Sequence, residues 1–388
     1  MRQHFRVLTI LALTQITGWG AVGVLPVIAE PISLDFRSSL PSVFVATTVM
    51  FVAMGIAAPW ASWAFRRFGT REVMAAGAAL IGLGLCLLAL SPNLPVFWGS
   101  WALTGVAGAM FLTTSAYAYI AEYAGDRARS LIGTLMVVTG LAGSIFWPVT
   151  AFLETLVGWR GAVLVYASVM ILIVGPVVRY GLAPTRRGMT TDNHRGNAQK
   201  GPVFVLLVAA IALNSFVTFG VEAVGIQFLQ AMGMELAAAV AIASLLGVFK
   251  VAGRVIDLLG GGGWDGLSTG IVAGAMIPMG LAAIWIGGAG TLAIAGYLLL
   301  FGIGSGAFAV ARATMPLVFY NNADYAAAMA SIALPMNLIN ALAPPTLAFL
   351  MSGIGAQGVF AMLGGLSLAA FGLLLRLNFM RVRRTVAG

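Results

Sequence analysis

The run LAAAVAIASLLGVFKVAGRVIDLLGGG, residues 236–262, decides what kind of protein this is. It is apolar for long enough to cross a bilayer as one helix, because about 20 residues at 1.5 Å each match a hydrocarbon core of about 30 Å. Yet it carries Lys250, Arg254 and Asp257 at i, i+4 and i+7, which places all three on one helix face. Lys250 falls near the middle of the run, and Arg254 lies roughly 6 Å further along. A charge at the bilayer centre costs about 2.5–3.5 kcal/mol on insertion scales, so it needs a partner, a water-filled cavity or a substrate.

The rest of the chain belongs to the same class. Of its 388 residues, 60% are hydrophobic and 9% charged, against about 25% charged in soluble domains. The 49 glycines suit close helix packing in lipid. Twelve apolar runs are expected to span: Val7–Ala29, Leu40–Phe65, Val73–Leu90, Val96–Glu122, Ser130–Val157, Gly161–Leu182, Val203–Gln230, Leu236–Gly262, Leu267–Gly287, Thr291–Phe319, Ala326–Met351 and Gly358–Leu377. The run after Arg2 and Arg6 is too long for a signal-peptide core and counts as the first span.

An even count puts both termini on one side. Sixteen of the 21 Lys and Arg residues fall at the termini and in alternate loops, whereas only Arg37 and Arg160 fall opposite and three lie inside spans. The positive-inside rule then makes both termini cytoplasmic, with the cell (inner) membrane as the expected location. This accounts for the net charge of +9 without nucleic acid.

Several chemistries are excluded. Cys86 is the single cysteine, and His4 and His194 lie in a tail and a linker, so no disulfide framework, metal site or cofactor is expected. Gly260–Gly263 closes a span with no preceding strand and no Gly-Lys-Ser/Thr sequel, so it is not a nucleotide loop. No enzyme reading has support; the expected partners are a small-molecule substrate and the lipid bilayer, around a monomer.

Residues 185–201 are polar and divide the spans six and six, giving halves 1–184 and 202–388 joined by a cytoplasmic linker. The halves look like a repeat. GVAGAMF (105–111) faces GIGSGAF (302–308) at an offset of 197, and PVTAFL (148–153) faces PPTLAFL (344–350) with one residue of slippage. GWGAVGV (18–24) resembles GVEAVGI (220–226). Parallel repeats of this kind are a transporter architecture, with the site at the midplane.

These residues carry a family resemblance. RRFGTREVM (66–74), after the second span, resembles the loop motif of the major facilitator superfamily, with Arg67, Gly69 and Arg71 in its pattern. Arg66 stands where the motif has an acidic residue, and Ser62 where it has its leading glycine. GWR (158–160), Pro148 and the KVAGR run ending at Arg254 resemble the monocarboxylate and oxalate–formate branch. The resemblance implies an all-α membrane protein, twelve transmembrane helices in two six-helix halves, working by alternating access. It further implies that Arg254 holds a substrate carboxylate, although Lys250 stands where the branch often has Asp. LTQITGWG (13–20) is also similar to uncharacterised facilitators, some of them found with arsenic resistance.

The candidate site follows. Arg254 and Lys250 are one turn apart and repel each other unless an anion lies between them, and arginine can take a carboxylate bidentately. The alternative is structural pairing, Lys250 with Glu222 and Arg254 with Asp257 or Asp265. Glu222 is the one acidic residue expected well inside a span. It continues a stripe of Asn214 and Thr218, and is the candidate for coupling to H+. Asn337, Asn340, Tyr117 and Gln15 are candidate substrate contacts, with Trp19 and Trp147 as further lining. Arg312, Asp257, Arg67, Gly69 and Arg71 are assigned to gating or structure, and Asp257 is expected to pair with Arg312 or Arg254. The expected function is secondary transport of a small organic anion. The alternatives are proton-driven efflux of a drug or metalloid, and a membrane sensor that does not transport.

Overall fold

Inside a bilayer the backbone has no water to bond, so every N–H and C=O must be satisfied within the segment, and an apolar chain of this kind forms helices. The computed structural model describes residues 2–124, 128–184, 201–260, 265–320 and 322–387; the side chains of 2–4, 128–130, 258, 322–331, 333–334, 337 and 382–387 fall outside the description. Two compact units emerge, Met1–Asp192 and Asn193–Gly388. The linker expected over 185–201 lies outside the described residues except for Gly201.

The first unit contains α1 (Arg2–Val22), α2 (Leu25–Asp35), α3 (Leu40–Phe68), α4 (Thr70–Ala89), α5 (Leu94–Phe111), α6 (Thr113–Ala124), α7 (Ala128–Thr139), α8 (Ala142–Val169), a π-helical turn (Met170–Val174) and α9 (Gly175–Gly181). The second contains α10 (Pro202–Ala231), α11 (Leu236–Leu259), α12 (Gly266–Gly287), α13 (Thr291–Gly296), a second π turn (Tyr297–Gly302), α14 (Ile303–Thr314), α15 (Pro316–Phe319) and α16 (Asn322–Ala387).

Ten stretches among the described residues are long and apolar enough to cross a membrane. Two of these are double. Leu131–Gly181 breaks at Gly158 (φ 68°, ψ 172°), and Leu338–Arg381 breaks at Gly355 (φ 69°, ψ 170°). Only glycine adopts that backbone without strain. Counting each arm separately gives twelve passages.

The first span runs further than its apolar pattern suggests, to Asp35, and therefore also carries Glu30 in its last turns, exposed. It is interrupted at Gly23–Val24, and the fourth span is interrupted at Leu112, whose ψ of −164° is extended. Neither break was expected, and side chains satisfy the carbonyls they disturb. Trp147 Nε1 donates to Gly23 O at 2.9 Å, and Gln15 Nε2 donates to Phe111 O at 2.8 Å. Trp19 Nε1 reaches Thr113 Oγ1 at 2.7 Å across the same break. An unpaired buried amide group costs about 1–3 kcal/mol, which is what Trp147 and Gln15 prevent.

Glycines set the helix spacing. A Cβ on Gly105 of α5 would strike the Met50 carbonyl of α3; in the second unit, one on Gly306 of α14 would strike the Lys250 carbonyl of α11. Both glycines lie in the repeated motif at 105–111 and 302–308, so the motif marks the place where two helices touch backbone to backbone.

At one end of the first unit, Arg160 ties three helix ends together. Its guanidinium donates to Asp35 Oδ2 (2.9 Å from one terminal nitrogen, 3.2 Å from Nε) and to the carbonyls of Ala89 (2.5 Å) and Ser91 (2.9 Å). It also stacks 4.3 Å above the Trp159 ring, whose Nε1 donates to Asp35 at 3.2 Å. Because the pair is about two-fifths exposed, Arg160→Ala is expected to cost about 2 kcal/mol rather than the larger figure for a buried pair. Arg160→Lys should recover only part of this, since an ammonium cannot fork to three acceptors. Thermal unfolding of the purified variants reads the difference.

At the start of α12, Asp265 caps the helix by accepting from the Ser268 amide at 2.7 Å, and it also pairs with Arg381 of α16. Burial alone would raise its pKa, but the Ser268 donors and Arg381 outweigh that and hold the carboxyl below 3.8. Its stabilising contribution is thus complete above the unfolded pKa and is lost as pH falls through the lower folded value. Asp265→Asn, which keeps the cap, should be less stable than wild type near neutral pH and converge with it below pH of about 4. A constant gap across pH would contradict this.

Candidate functional site

The charged face of α11 is positioned by its backbone contact with α14. Gly253 packs its Cα against the Ile303 carbonyl and Gly306 packs against the Lys250 carbonyl, so neither side can shift by a methyl group. In that frame Lys250 Nζ donates to Glu222 Oε2 on α10. The lysine side chain is 12% exposed and the glutamate 42% exposed, so the pair is buried from the lysine side and open from the carboxylate side.

Glu222 has basic side chains around it. Besides the bonded Lys250, Arg254 and Arg312 lie near enough to act on its charge. Arg254 is half-buried one turn after Lys250, and Arg312 is half-buried in the last turn of α14. Tyr297, buried in the second π turn and stacked on Phe301 at 5.2 Å, is close enough to feel the same carboxylate. Tyr297 was missed by the sequence reading. A tyrosine in an apolar span carries no signal of its own, and the π turn that places it has no motif.

Other expectations meet mixed outcomes. Asp257 accepts from Thr269 Oγ1 of α12 at 2.6 Å, a hydroxyl partner where an arginine was expected, and Asp265 is held by Arg381. Of the polar stripe on α10, Thr218 turns back to the Asn214 carbonyl at 2.8 Å. Asn214 itself is fully buried, and neither amide atom has a partner among the described residues. Asn340 Oδ1 is buried without a partner among the described residues, and the side chain of Asn337 falls outside the description. Tyr117 is half-buried on α6. Gln15 is fully buried, and its amide nitrogen is committed to Phe111 O. Glu222, Lys250, Arg254 and Arg312 are brought together; Gln15 and Tyr117 sit in the other unit.

The loop motif closes a cluster within the first unit. Gly69 (φ 91°) makes the turn between α3 and α4, with Arg67 exposed at the end of α3. Arg71 pairs with Glu72 at 2.5 Å and reaches Leu182 O at 3.3 Å, while Arg179 takes the other Glu72 oxygen at 2.7 Å. Thr70 Oγ1 donates to Glu122 at 2.7 Å. The motif therefore joins α4 to α6 and α9, and Glu72 supplies the acid.

Comparison with known proteins places this arrangement. The sequence profile of the Major Facilitator Superfamily matches residues 8–300, about three quarters of the chain. The chain belongs to this superfamily. Among solved structures, this facilitator is similar to a bacterial homologue of the human lysosomal transporter Spinster in an inward-facing, unoccupied conformation, with a TM-score of 0.71 at 16% identity, covering 98% of this chain and 97% of the other. The occupied inward-facing form of that homologue gives 0.69 at 16% identity, covering 97% and 96%. At that identity the likeness is one of fold. In sequence, the facilitator is 27% identical over 220 residues to the multidrug resistance protein B homologues of Mycobacterium tuberculosis strains CDC 1551 and H37Rv, over 50% of this chain. The match spans 40% of the length of those relatives.

Proposed function

We propose that this facilitator moves a small organic anion, monocarboxylate-like, across the cell membrane by alternating access between halves 1–184 and 202–388. The observation that carries the reading is the gathering of Lys250, Arg254 and Arg312 around the Glu222 carboxylate. A concentration of basic side chains in a low-dielectric span favours an anion over a neutral or cationic solute. In this reading Arg254 takes the carboxylate and Lys250 divides its proton donors between Glu222 and substrate. Protonation of Glu222 frees Lys250 for the anion, which couples substrate to H+. Asn340 and Asn337 on α16 supply hydrogen bonds. A thermal-shift screen of small monocarboxylic acids tests the site: an acid that stabilises wild type and not Arg254→Gln supports it, and equal shifts in both sink it.

The second reading is proton-driven efflux of a drug or metalloid, favoured by the likeness to the multidrug resistance protein B homologues. Lipophilic compounds that shift the protein where acids do not would favour it. A sensor that binds without translocating gives no counterflow of labelled ligand. Both termini are cytoplasmic in this account, so alkaline phosphatase fused after Gly388 should be inactive in cells.

A further inference from the structure

The two units share a joint at the end that the loop charges place outside, and they complete it differently. In the first unit Arg160 completes it, bound to Asp35, to the carbonyls of Ala89 and Ser91, and to the face of Trp159. The corresponding place in the second unit is a cavity of about 470 Å³.

The correspondence rests on three registers. Gly355 repeats Gly158 at an offset of 197, with the same backbone conformation to within 2°. The AFL triplet before it recurs at that same offset, 151–153 and 348–350. Arg37 (φ 48°) and Gly233 (φ 90°) make the left-handed turns that follow Asp35–Phe36 and Ala231–Met232. By these registers Ala356 stands for Trp159, Gln357 for Arg160 and Ala231 for Asp35, and each now lines the cavity. The turn after α12, Gly288–Ala289, lines it where Ala89–Ser91 accept from the arginine.

What remains at the joint suits a cation. The wall is formed by the carbonyl ends of α10 at Met232, of α12 at Gly288, and of the first arm of α16 at Ile354. Each helix C-terminus carries about half a negative charge, against the single N-terminal end at Ala356–Gln357. Gln357 adds an amide oxygen as acceptor, and the lining contains no Lys or Arg. The first unit places a planar cation at two of the corresponding helix ends, those of α2 and α4. We propose that this cavity binds a small guanidinium-bearing solute, whose planar donors take the role of the Arg160 side chain. The site is separate from the cluster around Glu222.

Methylguanidinium at about ten times its Kd should raise the unfolding midpoint of the purified full chain by about 1.5–2 °C, and methylurea, its neutral analogue, should not. Gln357→Arg should raise the midpoint unaided and abolish the response. A wild type unmoved by methylguanidinium, an equal shift with methylurea, or an undiminished response in Gln357→Arg would overturn the proposal. If that variant does not fold, Ala231→Lys sets a cation where the first unit has the Asp35 carboxylate. Equilibrium dialysis of labelled methylguanidinium should then show at least about tenfold weaker binding, a loss of about 1.4 kcal/mol, and unchanged binding would equally overturn it.

Discussion

Glu222→Ala is expected to destabilise the protein by about 2–3 kcal/mol, because it takes the partner from the nearly enclosed Lys250 charge, a loss softened by water entering from the open carboxylate side. Lys250 is held there by the α11–α14 contact and cannot withdraw: its carbonyl lies against Gly306, and its side chain is 12% exposed. Removing both partners relieves the penalty, so Glu222→Ala/Lys250→Ala should be more stable than Glu222→Ala alone. Thermal or denaturant unfolding of the four proteins in detergent gives the coupling energy. Strictly additive losses would mean that the pair does not hold the site together. The exposed side of Glu222 makes Lys250→Ala the milder single variant, since the carboxylate can stay hydrated.

The second large effect belongs to Gly306. A side chain there lands on the Lys250 carbonyl and must drive α11 away from α14, so Gly306→Val is expected to cost about 4 kcal/mol or more. Gly253→Val should act alike through the Ile303 carbonyl. Gly364, on α16, is the internal control: a Cβ there meets nothing within 4 Å, and alanine should be neutral or stabilising by up to about 1 kcal/mol. The yield of monodisperse protein and its unfolding midpoint distinguish these cases. Similar behaviour of Gly306→Val and Gly364→Ala would refute the close-approach argument.

The class, the spans and the repeat could be read from the chain because they depend on local pattern: apolar runs of bilayer length, basic loops and short motifs at a fixed offset. The Lys250–Glu222 pair was legible as one of two alternatives, since two charges in adjacent apolar spans need each other. The breaks at Gly23–Val24 and Leu112 were not legible. The apolar pattern runs through both, and the Trp147 and Gln15 donors that make them affordable lie far away in sequence. For the same reason Gln15 read as a cavity residue although its amide nitrogen holds a helix end. Arg160 was marked by its motif, but its partners Asp35 and Ser91 are 125 and 69 residues away. Asp257 read as an arginine partner because charge is visible in sequence, and the Thr269 hydroxyl that meets it is not.

Arg254 is the group proposed to recognise the anion. The direct measurement is counterflow of a labelled acid, chosen by the thermal-shift screen, in proteoliposomes containing wild type or Arg254→Gln. Losing a charge-assisted hydrogen bond of about 1.5–3 kcal/mol should weaken apparent affinity by about 10–100-fold, with the Lys250–Glu222 pair and the unfolding midpoint preserved. Counterflow of the acid that is equal in wild type and Arg254→Gln would contradict the anion site.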